Sequence, residues 1–229
     1  MYKRQASLHE VKDFFQKYYN PNNAILSIAG DLEFENVKLL VEKWFGSINK
    51  GRKNLNNYRQ EPLQREPRRK QALRDVPLDA IYIAFHMEEK SHPDYYVSDL
   101  LSDILSSGEA SKLYLSLVKL KKIFTEISAF VTGNHNNGLF VISGKINSNN
   151  SIEEAEKAIW EELEDLKKVE LNESELARVK NKLKTAIEFS NSSVLNKAMN
   201  LSIYKLEGNT NQINEELSLI HISEPTRQE

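Results

Sequence analysis

FFQKYYNPNNAILSIAGDLEFENVKLLVEKWFG, residues 14–46, holds the end of one amphipathic helix, a short apolar run and a second amphipathic helix. Just upstream, Ser7 and Glu10 have the spacing of a capping box, and Leu8, Val11, Phe14, Phe15 and Tyr18 recur at helical intervals. Together they predict a helix over about residues 7–19. Asn20 precedes Pro21 and is pushed out of the helical region, and Asn22 and Asn23 continue the turn. Ala24 to Ala29 is apolar apart from Ser27 and bounded by turn residues, the pattern of a strand covered on both faces. Val37, Leu40, Val41, Trp44 and Phe45 then follow a helical stripe, and Gly46 stands where a C-cap glycine belongs. This predicts helix, buried strand and helix in one dense unit.

Further along, strands and helices alternate again. Ala80 to Phe85 is a buried-type strand, preceded by a more polar candidate strand around Lys70 to Arg74. Between Asp94 and Leu105 the residues Val97, Leu100, Leu101, Ile104 and Leu105 form a helical stripe, and Ser106, Ser107 and Gly108 interrupt it before a second helix through Leu117. Ile127 to Thr132 and Leu139 to Ile146 flank the polar loop 133–138 as a hairpin, with His135 at its tip. Ser151 with Glu154, and Asn172 with Glu175, open two more helices. The predicted class is α+β, an antiparallel sheet covered by helices.

At 229 residues, 40% hydrophobic and net charge −2, the chain is long enough for one whole domain and part of another. The near-neutral balance argues against electrostatic capture of nucleic acid. No apolar run approaches the about 20 residues of a membrane span, and the start is not a signal peptide. Zero cysteines exclude disulfides and thiol chemistry and fit either a reducing or an oxidising compartment, so the expectation is a soluble protein, cytoplasmic or periplasmic.

The YYNPNNAILSIAGD core and the helix ending in WFG resemble the end of the first domain of insulinase- or pitrilysin-type (inverzincin) zinc metallopeptidases, the processing-peptidase family. The resemblance continues through DAIYIAFHM, LLSDILSSGEASKLYLSLVK, ISAFVTGNHNNGLFVISGKI and NESELARVKNKL, about residues 7–217. It implies the two-layer LuxS/MPP-like sandwich, preceded by the truncated end of a similar domain. The expected organisation is 1–48 as the incomplete end of the first, zinc-type domain, 49–68 as linker, 69–218 as the second domain and 219–229 as a non-native tail.

Active members bind zinc through His-x-x-Glu-His. The histidines here, His9, His86, His92, His135 and His221, show no such pattern. The run from His9 and Glu10 to Asp13 begins like a zincin motif but has Asp in place of the second His, so His9 and Glu10 read as first-turn residues of a helix. His135 is a lone loop histidine, and metal sites need three or four convergent donors. Alternating acids and lysines from Glu153 to Glu164 read as a solvated face, and Tyr95 and Tyr96 as packing residues. No catalytic, cofactor-binding or metal-binding residue is therefore assigned in this chain, and zinc is expected only in the intact parent.

Partner halves in the family carry an Arg and a Tyr after a Leu-Tyr pair. Here that pair is Leu113-Tyr114, and the two positions fall on Val118 and Thr125, which favours descent from the zinc-bearing half. Both ends, MYKRQ and LIHISEPTRQ, resemble translated adapter sequence, so the chain reads as a gene fragment. Arg65, Arg68, Arg69, Lys70 and Arg74 form a basic cluster without interleaved aromatics and read as a solvated linker face. Family linkers face the chamber between halves, which puts these cations within reach of acidic peptide.

The resemblance thus implies a non-catalytic portion of a zinc metalloendopeptidase, forming a chamber wall and an interface to a second half, fused or separate, with peptide substrate in the parent. Alternatives are a structural or assembly subunit of the same fold without peptidase activity, and an unrelated α+β binding module.

Overall fold

Ser7 Oγ accepts from the Glu10 amide at 3.3 Å and Glu10 Oε2 accepts from the Ser7 amide at 2.8 Å, completing the capping box expected at the first helix. This is a computed structural model, which describes residues 5–51, 62, 64–133, 136–168 and 171–208. In chain order the elements are α1 (Leu8–Tyr18), α2 (Phe34–Phe45), β1 (Ala80–Met87), α3 (Pro93–Ser106), a π-helical stretch (Tyr114–Leu120), β2 (Phe124–Thr132), β3 (Gly138–Ile146), α4 (Ile152–Lys168), α5 (Glu173–Ser192) and α6 (Val194–Glu207). The first expected helix, the hairpin and the Ser151 capping box stand as read. Residues 1–4, most of the expected linker, Asn134, His135 and the tail with His221 lie outside the described residues.

Two units divide the chain: one takes the described residues before position 62 and those from Phe189 on, the other the residues from Pro62 to Glu188. In the first unit, the turn after α1 is closed by asparagines. Asn20 and Asn23 donate to the Lys17 and Tyr18 carbonyls at 3.1 and 2.8 Å, and Asn22 Nδ2 reaches the Gly51 carbonyl at 2.9 Å. Residues 24–29 do not form the expected strand. A strand is defined by its ladder, and among the described residues nothing pairs with this segment. Gly46 does cap α2, through its N–H to the Glu42 carbonyl, but with φ −62° rather than the left-handed conformation.

In the second unit the sheet is antiparallel with order β1-β3-β2. Opposite Ile142 on β3 lie Ile83 on β1 and Ala129 on β2. That face packs on Leu105 of α3, Leu113 and Leu117 of the π-helical stretch, and Ala155, Ala158 and Ile159 of α4. A separate face of α3 sets Leu100 and Ile104 against Val179 of α5. The polar strand expected at Lys70 to Arg74 is absent from the sheet. Its one large apolar side chain, Leu73, is 88% exposed, so the segment has no apolar face to bury. The helix expected through Leu117 is instead π-helical and continues to Leu120.

Burial, reinforced by the charge of Asp103, holds the Asp99 carboxyl on α3 above the usual aspartate range. A carboxyl with a raised native pKa contributes stability that is full below its unfolded pKa and is lost as pH rises through the native value. Asp99→Asn is therefore expected to raise the urea midpoint near neutral pH. Well below the ordinary aspartate pKa of about 3.9 the midpoint should not change. A lower midpoint at neutral pH in paired titrations would count against this assignment.

Candidate interaction surfaces

Helices as short as α1 are marginal alone and draw their stability from a packed apolar face. In the first unit those faces stand open. No residue of α1 or α2 is buried, and Phe34 and Trp44 are 74% and 67% exposed. Along α1, Phe14 meets Tyr18 at 4.6 Å between ring centroids, and Phe15 stacks on Tyr19 at 4.8 Å. Ile28, Leu32, Phe34, Val37 and Val194 line an apolar cleft of about 660 Å³ whose rim carries Asp31 and Lys197.

The sheet has a second face, turned away from the helices, whose rows follow from the register. Tyr82, Ser143 and Ser128 form one row, Ala84, Val141 and Phe130 the next, and His86, Leu139 and Thr132 a third. Ser128 and Ser143 hydroxyls are 2.9 Å apart, and Lys145 pairs with Glu126 at 2.9 Å. Tyr82 is 73% exposed, and Phe130 and Leu139 are also open. The result is a mixed surface of hydroxyls, aromatic rings and aliphatic groups.

Each residue weighed in the sequence has a definite place. His9 Nε2 pairs with Asp13 at 3.2 Å, one turn along α1. Hydrogen bonds from the Ser7 backbone and side chain hold the exposed Glu10 carboxyl below the usual range. His86 lies on the open sheet face, and His92 caps α3 by accepting from the Asp94 amide at 3.2 Å. Tyr95 and Tyr96 pack edge to face at 5.7 Å, Tyr95 against the main core. Val118 also packs on that core, while Thr125 donates to the Lys145 carbonyl at 3.2 Å. On α4, Glu154 closes its capping box, Glu156 pairs with Arg69 at 2.7 Å and Glu164 with Lys167 at 2.6 Å.

Two polar arrangements have no signature in the sequence. Ser116 donates to Glu162, which also takes the Lys121 ammonium at 2.9 Å; this hydrogen bond is the main reason the Lys121 pKa is raised. Ser106 bridges α3 to β2, accepting from the Ala129 amide at 2.7 Å and donating to the Ala129 carbonyl at 2.9 Å. Both join residues far apart in sequence, where no local spacing announces them.

Among the described residues no three His, Asp or Glu side chains converge to hold a metal ion. His9 and Asp13, one turn apart on α1, supply two donors where a zinc site takes three or four. No described helix is long and apolar enough to cross a membrane. An antiparallel sheet backed by helices, with its other face open, makes the second unit a two-layer α+β domain. Residues 5–183 match the family described as the peptidase M16 inactive domain, and the chain belongs to that family, the insulinase type whose segments the sequence resembles.

The zinc protease PqqE of Helicobacter pylori is 30% identical over 181 residues, which cover 76% of this chain and 40% of that protein. The crystal structure of a Helicobacter pylori protease superposes with a TM-score of 0.77 at 26% identity, over 94% of this chain and 53% of that one. An inactive peptidase domain from Bordetella parapertussis shares the fold, with a TM-score of 0.59 at 20% identity over 66% of this chain and 81% of its own. The chain thus spans about half or less of the length of the Helicobacter pylori proteins it matches.

Proposed function

We propose that the chain serves a longer zinc metalloendopeptidase as its non-catalytic portion, providing chamber wall and an interface to a second half for peptide hydrolysis by the intact parent. In this reading, zinc and its general base belong to the parent's other portion, where the metal activates a water for attack on the peptide bond. The observation that carries the reading is the exposed apolar surface of α1 and α2. Soluble proteins rarely leave contiguous apolar area beyond a few hundred Å² without a partner to cover it. The open sheet face adds a wall able to contact peptide through hydroxyls and rings. Domain limits near residues 48 and 69 form part of the same proposal.

The purified chain is expected to hold no stoichiometric zinc and to leave a quenched-fluorescence peptide substrate uncut. Mixing it with the parent's zinc-bearing portion should give a complex on size exclusion. One tightly bound zinc per chain by metal analysis, or cleavage by the chain alone, would overturn the reading. So would a genomic locus whose adjoining coding sequence lacks His-x-x-Glu-His.

A further inference from the structure

We propose that residues 65–74 form a docking strip for an acidic, extended polypeptide. Arg65, Arg68, Arg69, Lys70 and Arg74 place five cations in this stretch against one acid, Glu66, in a chain whose net charge is −2. The strip is therefore opposite in sign to the rest of the molecule. It is exposed throughout and belongs to no helix and no ladder.

Only part of this charge is used internally. Arg69 Nη2 lies 2.7 Å from Glu156 on α4, and Arg74 donates to the Leu73 carbonyl at 2.8 Å. Among the described residues, Arg65, Arg68 and Lys70 have no carboxylate partner. Three lysines elsewhere in the same unit do have carboxylate partners: Lys121 has Glu162 at 2.9 Å, Lys145 has Glu126 at 2.9 Å and Lys112 has Glu175 at 3.2 Å. The Arg69–Glu156 pair ties the strip to α4, while Arg65, Arg68 and Lys70 beside it stay exposed.

Polypeptide fits this strip better than other polyanions. Residues 64–79 contain no aromatic on which a base could stack, which removes the usual platform for single-stranded nucleic acid. Their backbone lies outside every helix and ladder, and apart from the prolines and the Glu66, Leu73 and Asp79 carbonyls, which accept internal hydrogen bonds, it can pair with a second extended chain. Arginine forks add bidentate bonds to carboxylates along it. The proposal goes beyond the chamber-wall reading and stands on these residues even if the parent proves not to be a peptidase.

Fluorescence anisotropy of the full chain with a labelled peptide alternating glutamate and valine tests it. The peptide should bind roughly tenfold more tightly than its glutamine counterpart, and Arg68→Glu/Lys70→Glu/Arg74→Glu should remove that advantage. Lys70→Gln/Arg74→Gln, a milder change at exposed sites, should lose an intermediate amount. The proposal fails if the triple variant binds as well as the original chain. It fails equally if oligothymidine of matched charge binds as tightly as the peptide, or if phosphatidylserine vesicles capture the chain while the peptide stays free.

Discussion

Gly144→Val is expected to destabilise the sheet-bearing unit by about 3 kcal/mol, the upper end of the usual cost of overpacking a core. A Cβ at position 144 would lie 2.5 and 2.6 Å from Cδ1 and Cε1 of Phe124 and 3.3 Å from the Glu126 carbonyl oxygen. Phe124 is itself 2% exposed, within the cluster formed by the sheet and its covering helices, so its ring has nowhere to go. Gly144 is thus required for space: it occupies the central strand, opposite Ile81 and Ile127, where the Phe124 ring crosses the sheet. Urea denaturation followed by Trp160 fluorescence, in a Trp44→Phe background, reads this unit, since Trp160 packs on Phe85 at 5.9 Å. Phe124→Ala alone should cost about 3–5 kcal/mol. In the Gly144→Val background it should cost distinctly less, because the added methyl groups fill the vacated ring volume. Strict additivity of the two changes would mean that the side chains do not meet.

These changes report on the second unit because that is where the core lies. Among the described residues, Tyr204 is the one buried apolar residue of the first unit; the others line the sheet and its covering helices or the contact of α3 with α5. The first unit instead offers α1 and α2 with their apolar stripes open, although its capping box and asparagine turn are formed. Local order set by hydrogen bonds, combined with apolar faces left uncovered, is what a docking element needs: its shape is fixed, and burial of its side chains is left to a partner. The proposed division of labour rests on this difference.

What the sequence made legible was local. Ser7 and Glu10, or Ser151 and Glu154, lie three residues apart, and their caps follow from helix geometry without outside help. The hairpin was readable because two alternating runs flank a short polar loop, and the structure keeps that register from Thr132 opposite Leu139 to Ser128 opposite Ser143. Residues 24–29 have equally good strand composition but no ladder, since pairing depends on a partner strand that composition does not reveal. The π-helical stretch was read as ordinary helix because apolar spacing over Leu113 and Leu117 fits both. The interaction surfaces were less visible, because a stripe such as Val37, Leu40, Val41 and Trp44 reads the same whether or not its partner is present.

Ser106→Ala is expected to cost about 2–4 kcal/mol, far more than loss of a hydroxyl from an exposed helix end. Its Oγ serves both the N–H and the C=O of Ala129, on the side of β2 that faces away from β3. Ala129 is buried, so removing the hydroxyl strands a donor and an acceptor together, each costing about 1–3 kcal/mol when water does not replace the partner. Ser106→Thr keeps the hydroxyl and should recover most of the loss. Beyond stability, the serine closes one edge of the sheet: with Ala129 engaged by α3, another strand cannot continue the ladder through the middle of β2. Ser106→Ala should therefore also raise the tendency to self-associate, read by light scattering at rising concentration, and amide exchange at Ala129 should quicken more than at Ile142 on the central strand. If stability falls while exchange at Ala129 stays slow, a water has taken the place of the hydroxyl, and the edge is guarded by the packing of α3 rather than by this one side chain.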